Sequence, residues 1–403
     1  MGELAVGGMS HLTKFVQRID EFCYNQAYTI YSKHKPELDM QKIDVAILGA
    51  TGAVGQRFIA LLENHPWFRV AEVVASDRSA GLTYREAARW VLDGYPPRDV
   101  AELTVKPLDA ILDSPLVFSA LPGEAAREVE VRLAGEGHVV CSNASTYRMT
   151  EDVPLLYPEI NPDHTRLIET QRRNRGWKTG ALVTNSNCTA MPVTVALAPL
   201  RLFGIRVLHI VSMQAVSGAG YPGVASLDIL DNVVPYIKGE EDKLEVEPHK
   251  MLGQLAPDGS RILPLEMVTS AACNRVPVLD SHLVSVAVGF DSRPSLEAID
   301  EAWNSFVAPE IVRRLPSAPE FPLVVAYEQD RPQPRRDRNA GNGMTTTVGR
   351  LRECKTVDGV QFMSLSHNTI RGAAGGSILN AELLVAEGYI ASADPAMLAY
   401  EKA

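Results

Sequence analysis

From Ile43 the chain repeats one rhythm: a short apolar run, a glycine or polar turn, then apolar residues at helical spacing. "IDVAILGATGAVGQRFIALLENHP" predicts a strand, a glycine turn and a helix that ends before Pro66. "FRVAEVVASDRSAG" predicts a second strand running into a polar turn. "LVFSALPGEAAREVEVRLAGEGHVVCSNAS" predicts strand, helix and strand again. Strands alternating with helices imply a parallel sheet with right-handed crossovers. After Cys188 the texture changes. "RVLHIVSMQAVSGAG", "LVSVAVGF" and "TTTVGRL" are strand-like runs separated by long Gly/Pro-rich stretches, which suits a mixed or antiparallel sheet. "RGAAGGSILNAELLVAEGY" predicts a helix that returns to the first sheet, and "QDRPQPRRDRNAG" reads as a solvated loop rather than a partner-contacting arm.

Ahead of this pattern, "LTKFVQRIDEFCYNQAYTIY" has Leu12, Phe15, Val16, Ile19 and Phe22 on one side of a helix. Residues 1–40 form an appendage whose role the sequence does not disclose. It lacks the apolar core of a signal peptide. The 403 residues suffice for two domains. A net charge of −10, with no basic run interleaved with aromatics, argues against nucleic acid as a partner. No apolar run approaches the roughly 20 residues that cross a bilayer. The five cysteines are odd in number and include no CxxC pair, so neither a disulfide framework nor a metal site is expected. A reducing, cytoplasmic location follows.

"GATGAVG" sets Gly49, Gly52 and Gly55 between the first strand and its helix, the context in which such a turn cradles a pyrophosphate at a helix N-terminus. The second strand ends in "ASDRSAG". Arg78, with the hydroxyls of Ser76 and Ser79, suits the 2′-phosphate of NADP, while Asp77 keeps NAD open. The expected fold is therefore α/β: a Rossmann-type doubly wound domain over residues 41–187, completed by 368–403. An α+β domain with a mixed sheet covers 188–367.

"TNSNCTAMPVTVALAPL" places Cys188 between the capping residue types Asn185, Ser186 and Asn187 and a buried helix, with Pro192 in its first turn. A helix start favours an anion and is expected to lower the thiol pKa. A packing role is the alternative. A thiolate beside a hydride carrier suggests attack on an acyl or aldehyde carbon, followed by hydride transfer. "CNRVPVLDSH" offers Arg275 as a cationic clamp and His282 as an acid/base, on one strand segment. Their odd separation would place them on opposite faces unless Pro277 introduces a bulge or turn.

The set "GATGAVG", "SNCTAMP", "QAVSGAGYPG", "EPHK", "CNRVPVLDSH" and "HNTIRGAAGG" resembles the aspartate-β-semialdehyde dehydrogenases, from about Ile43 to Tyr389. The resemblance implies a homodimer or homotetramer. It also implies NADPH-dependent reduction of aspartyl-4-phosphate to aspartate-4-semialdehyde and phosphate, in lysine, threonine and methionine biosynthesis. Cys188 then corresponds to the nucleophile, His282 to the acid/base, and Gln214 to the residue orienting the acyl intermediate. Arg275 would grip the α-carboxylate, Glu247 face the α-ammonium, and Lys250 and Arg148 face the phosphate, with Asn187 also at the substrate. Gly49, Thr51, Gly52, Ala53, Val54, Ser76, Arg78, Ser79, Ser217, Gly218 and Asn368 match positions lining NADP. The family often has Lys where this chain has Arg371; with the charge retained, little consequence is expected. Malonyl-CoA reductase and N-acetylglutamyl-phosphate reductase share the architecture, but neither substrate offers an ammonium to a carboxylate. A non-catalytic NADP sensor would not need Cys188, Gln214, Arg275 and His282 together.

Overall fold

The computed structural model describes residues 42–391. The amphipathic stretch expected around Leu12–Phe22, Cys23 and residues 392–403 lie outside them. The first seven strands are β1 (Ile43–Leu48), β2 (Phe68–Val74), β3 (Val105–Lys106), β4 (Leu116–Ser119), β5 (Val139–Ser142), β6 (Leu155–Leu156) and β7 (Ala181–Asn185). They form one sheet in the order β3-β2-β1-β4-β5-β7-β6, every pair parallel. Helices on both faces explain why β4 and β5 are buried at every position and apolar through their centres. The chain builds outward from β1 through β2 and β3, then restarts at β4 on its other side. The crevice beyond the strand C-termini at that switch point is where such folds bind ligands.

The second sheet contains β8 (Ile205–Gln214), β11 (Val268–Arg275), β12 (His282–Phe290), β13 (Leu323–Ala326), β14 (Thr346–Cys354) and β15 (Gly359–Ser366). Its order is β11-β8-β12-β15-β14-β13, mixed, with parallel pairs at the two edges. A small hairpin, β9 (Gln254–Leu255) with β10 (Ile262–Leu263), stands apart.

Against β12, β14 and β15 packs the helix Ala190–Leu197, buried at all eight positions. Two turns rich in β-branched residues would not persist alone in water. Burial holds this helix, each large apolar side chain contributing roughly 1.5–3 kcal/mol. Trp303 Nε1 also donates to Ala196 O at 2.9 Å, and the indole meets Phe362 edge-on at 5.0 Å between centroids. The helix Gly375–Ala386 is likewise buried throughout and packs on β4, β5 and β7. It is entered through a π-helical turn, Ile370–Ala374. The "QDRPQPRRDRNAG" stretch is exposed at Gln329, Asp330, Arg335, Arg336 and Asn339, as expected of a solvated loop, but it has an internal anchor. It folds around the buried Asp337 carboxylate, which accepts from Arg331 Nε at 2.8 Å and from the Gln333 N–H.

Candidate active site

Cys188 follows β7 and opens the central helix. Asn187 is the cap: its Oδ1 accepts from Thr189 N at 2.8 Å and Ala190 N at 3.2 Å. The sulfur is half-buried, 3.2 Å from His282 Nε2. The expected low thiol pKa is overturned. Burial, and then the Glu240 carboxylate, push it up to about 12, against Arg148 and Lys243. Desolvation is the largest cause and outweighs the pull of the helix terminus. The resting group is a thiol.

Arg275 and His282 do not share a strand. Arg275 ends β11 and His282 begins β12, and the two strands flank β8. Gln214, the last residue of β8, pairs in register with Arg275, and β12 runs antiparallel to β8, so all three residues meet at one end of the strands. Gly218 closes over them. A Cβ there would lie 2.8 Å from Arg275 Nη1 and 3.1 Å from His282 Cε1, so a side chain at this position would push the guanidinium out of place. Arg275 Nη1 donates to Ala215 O at 2.7 Å, and its backbone pairs with Val234.

The acidic and basic residues facing this cluster are not those expected. On the helix Glu240–Met251, Glu247 is buried and engaged throughout. Its Oε1 accepts from Arg148 Nη1 at 2.9 Å, and its Oε2 from Ser186 Oγ at 2.9 Å and Asn187 N at 2.6 Å. Lys250 gives its three protons to the carbonyls of Arg148, Thr150 and Val153 at 2.7, 2.8 and 2.8 Å. Neither is left to meet a substrate; they build the shelf behind it. Seven residues earlier, Glu240 and Lys243 repeat the spacing, about 10 Å nearer the helix start. Glu240 Oε2 accepts from Asn187 Nδ2 at 2.9 Å and Gln214 Nε2 at 3.4 Å; its Oε1 accepts from Lys243 Nζ at 2.6 Å. Burial alone would raise its pKa, but Lys243, Asn187 and His282 bring it below the ordinary carboxylate value. The Asn187 side chain is consumed by the cap and by Glu240, so it positions rather than binds. Arg148 also donates to Asn143 O at 2.7 Å and keeps a buried Nε without a partner.

Residues suited to a dinucleotide line the crevice at β1. Gly49 has φ +70°, and a Cβ would strike Ala120 O at 2.7 Å. Thr51, Gly52, Ala53 and Val54 are partly exposed where the helix Ala53–Leu62 begins, and no side chain caps it. Its first N–H groups thus remain for a phosphate. Tyr84 Oη braces the turn by donating to Ala50 O at 2.9 Å. Ser76 and Arg78 are exposed beyond β2, with Ser79 beside them. Residues of this kind fit a phosphorylated dinucleotide. Asn368 lies across the site, its Nδ2 donating to Ser217 Oγ and its Oδ1 accepting from Ser281 N, both at 2.8 Å.

Under the nucleophile lies the π-turn. A Cβ at Gly372 would sit 2.5 Å from Cys188 Cβ, so backbone and cysteine are in close contact. Arg371, fully buried, makes two parallel bonds to Glu159 at 2.7 and 2.6 Å and stacks 3.9 Å over Tyr157. A lysine could not reproduce this fork, so charge alone does not describe the position.

Residues 44–168 match the family described as semialdehyde dehydrogenase, NAD binding domain, and residues 197–371 the semialdehyde dehydrogenase dimerisation domain. The aspartate-semialdehyde dehydrogenase of Archaeoglobus fulgidus is 49% identical over 350 residues, 87% of this chain and 100% of that protein. That of Saccharomyces cerevisiae is 40% identical over 358 residues, 85% of this chain and 98% of the relative. The crystal structure of the Candida albicans enzyme with NADP superposes with a TM-score of 0.80 at 40% identity, covering 86% of this chain and all (100%) of that one. On matches of this extent, the chain belongs to the aspartate-semialdehyde dehydrogenase family.

Proposed function

We propose that the protein is an NADP-dependent aspartate-semialdehyde dehydrogenase, reducing L-aspartyl-4-phosphate to L-aspartate-4-semialdehyde and phosphate. The observation that carries this reading is the Glu240 carboxylate, held by Lys243, Asn187 and Gln214, with Gln214 paired in register to Arg275, in a site whose other groups serve an acyl carbon. An α-amino acid needs both charges. Malonyl-CoA and an N-acylated glutamate offer nothing to Glu240.

In this reading Cys188 attacks the acyl carbon and forms a thioester as phosphate leaves. Arg275 grips the α-carboxylate through its planar fork. Glu240, in place of Glu247, meets the α-ammonium, and Lys243, in place of Lys250, joins Arg148 at the phosphate. Gln214 orients the acyl group. Thr51–Val54, Ser76, Arg78, Ser79, Ser217 and Gly218 hold NADP, which when bound supplies or receives the hydride. Asn368 fixes Ser217. Boundaries at 41–187 with 368–403 for the cofactor domain, and 188–367 for the catalytic and dimerisation domain, are part of the same proposal. So are a homodimer or homotetramer and a cytoplasmic location, the latter resting on cysteine usage.

The test is turnover in the oxidative direction with aspartate semialdehyde, phosphate and NADP. Malonate semialdehyde with CoA, and N-acetylglutamate semialdehyde with phosphate, serve as rivals. Preference for either rival refutes the assignment.

A further inference from the structure

Thr189 stands between the nucleophile and the central helix, and it is fully buried. Its hydroxyl oxygen is sealed from water and has no hydrogen-bond partner among the described residues. A buried hydroxyl left unused costs free energy, so it calls for an explanation. A threonine on a helix ordinarily bonds a carbonyl three or four residues back. Thr194 does so, donating to Ala190 O at 2.8 Å. Thr189 does not. Its hydroxyl bears on the sulfur instead: burial and then Glu240 raise the Cys188 thiol pKa, and Arg148, Lys243 and the Thr189 hydroxyl oppose them.

Both partners are held in place. The Thr189 N–H donates to the Asn187 Oδ1 cap at 2.8 Å, and a β-branched side chain has few rotamers open to it. Cys188 is backed by Gly372, where an added Cβ would lie 2.5 Å from Cys188 Cβ, so the cysteine has no room to retreat on that side. We propose that the Thr189 hydroxyl donates to Cys188 Sγ whenever the sulfur carries charge, and so sets how readily the nucleophile forms. This rests on the functional reading above.

The hydroxyl transfers no proton. In the acid/base role implied by the resemblance, His282, with Nε2 3.2 Å from Sγ, exchanges the thiol proton. Once hydride has reached the thioester carbon, the C–S bond breaks and its electron pair stays on sulfur, while the alkoxide becomes the aldehyde carbonyl. The charge then sits on a sulfur among buried groups. A hydroxyl suits this position because it rotates, accepting from the thiol S–H in one state and donating to the thiolate in the other.

Alkylation of the ligand-free, full-length enzyme by iodoacetamide near neutral pH tests this, followed at the Cys188 peptide by mass spectrometry. Losing a hydrogen bond to a charged group lowers the thiolate fraction about ten- to a hundredfold. A more basic thiolate is also the better nucleophile, which returns nearly half of that loss on a logarithmic scale. Thr189→Val, which keeps the shape without the hydroxyl, should therefore react roughly four- to fifteenfold more slowly than wild type. Thr189→Ser keeps the hydroxyl without the methyl and should react at close to the wild-type rate. If the Val variant does not fold, Thr189→Ala reads the same loss. A Val or Ala variant alkylated as fast as wild type, or a Ser variant as slow as Val, overturns the proposal. Wild-type enzyme preferring a rival substrate would instead count against the functional reading, on which the alkylation rates do not depend.

Discussion

Replacing Arg371 by Met leaves the Glu159 carboxylate buried, with no cation for its two oxygens. Glu159 is 1% exposed and Arg371 0%, so water cannot take the arginine's place. Breaking one side of a buried pair costs about 3–5 kcal/mol, mostly because the remaining charge is stranded. Removing both partners leaves no stranded charge, and Glu159→Met/Arg371→Met should cost much less than the single change. Urea denaturation with an unchanged m-value would read both numbers as shifts of midpoint. Activity adds a second readout, because the π-turn carrying Arg371 touches Cys188 through Gly372. The double variant should regain stability yet keep a lowered kcat, with the KM for NADP unchanged. A single variant within about 1 kcal/mol of wild type, or a double variant no better than the single, would refute the clamp.

Cys188→Ser should abolish turnover while NADP still binds; retention of more than a few per cent of activity sinks covalent catalysis. Glu240→Gln should raise the KM for aspartate semialdehyde about ten- to a hundredfold, and Lys243→Ala that for phosphate, by loss of charge-assisted bonds worth roughly 1.5–3 kcal/mol. Lys250→Ala should lower stability instead, so phosphate KM measurements on the two lysine variants separate the roles. Arg78→Ala should weaken NADP binding far more than NAD binding in titration; an equal loss would make Arg78 a mere support of the turn. His164 is buried, and its desolvation lowers its pKa to about 4. The unfolded state therefore binds the extra proton between about pH 6.5 and 4, and stability falls as pH drops through that window. His164→Gln should flatten this part of the stability–pH curve, and an unchanged slope would contradict the assignment.

Elements set by local pattern were legible. The β1 turn, the β4 and β5 strands and the cap at Asn187 depend on neighbours a few residues away. The site's acids and bases were harder. "GEEDKLEVEPHK" contains the spacing twice, and spacing alone cannot say which pair faces the site. The discriminating signal is place: Glu240 opens the helix and Glu247 lies two turns deeper. Arg275 and His282 looked like neighbours on one strand because the sequence does not reveal that β8 inserts between their strands. The thiol pKa was misjudged for a different reason. The helix start is written in the sequence, but the depth at which the fold buries the sulfur is not, and desolvation is the larger energy.

Glu247 binds Arg148 through one oxygen and the backbone and hydroxyl beside Cys188 through the other. A single carboxylate is thus the common reference for the nucleophile and for the cation expected at the leaving group. Thermal displacement of that carboxylate carries both in the same direction. Their separation is therefore steadier than either position, and it is that separation which sets how nucleophile and leaving group flank the acyl carbon.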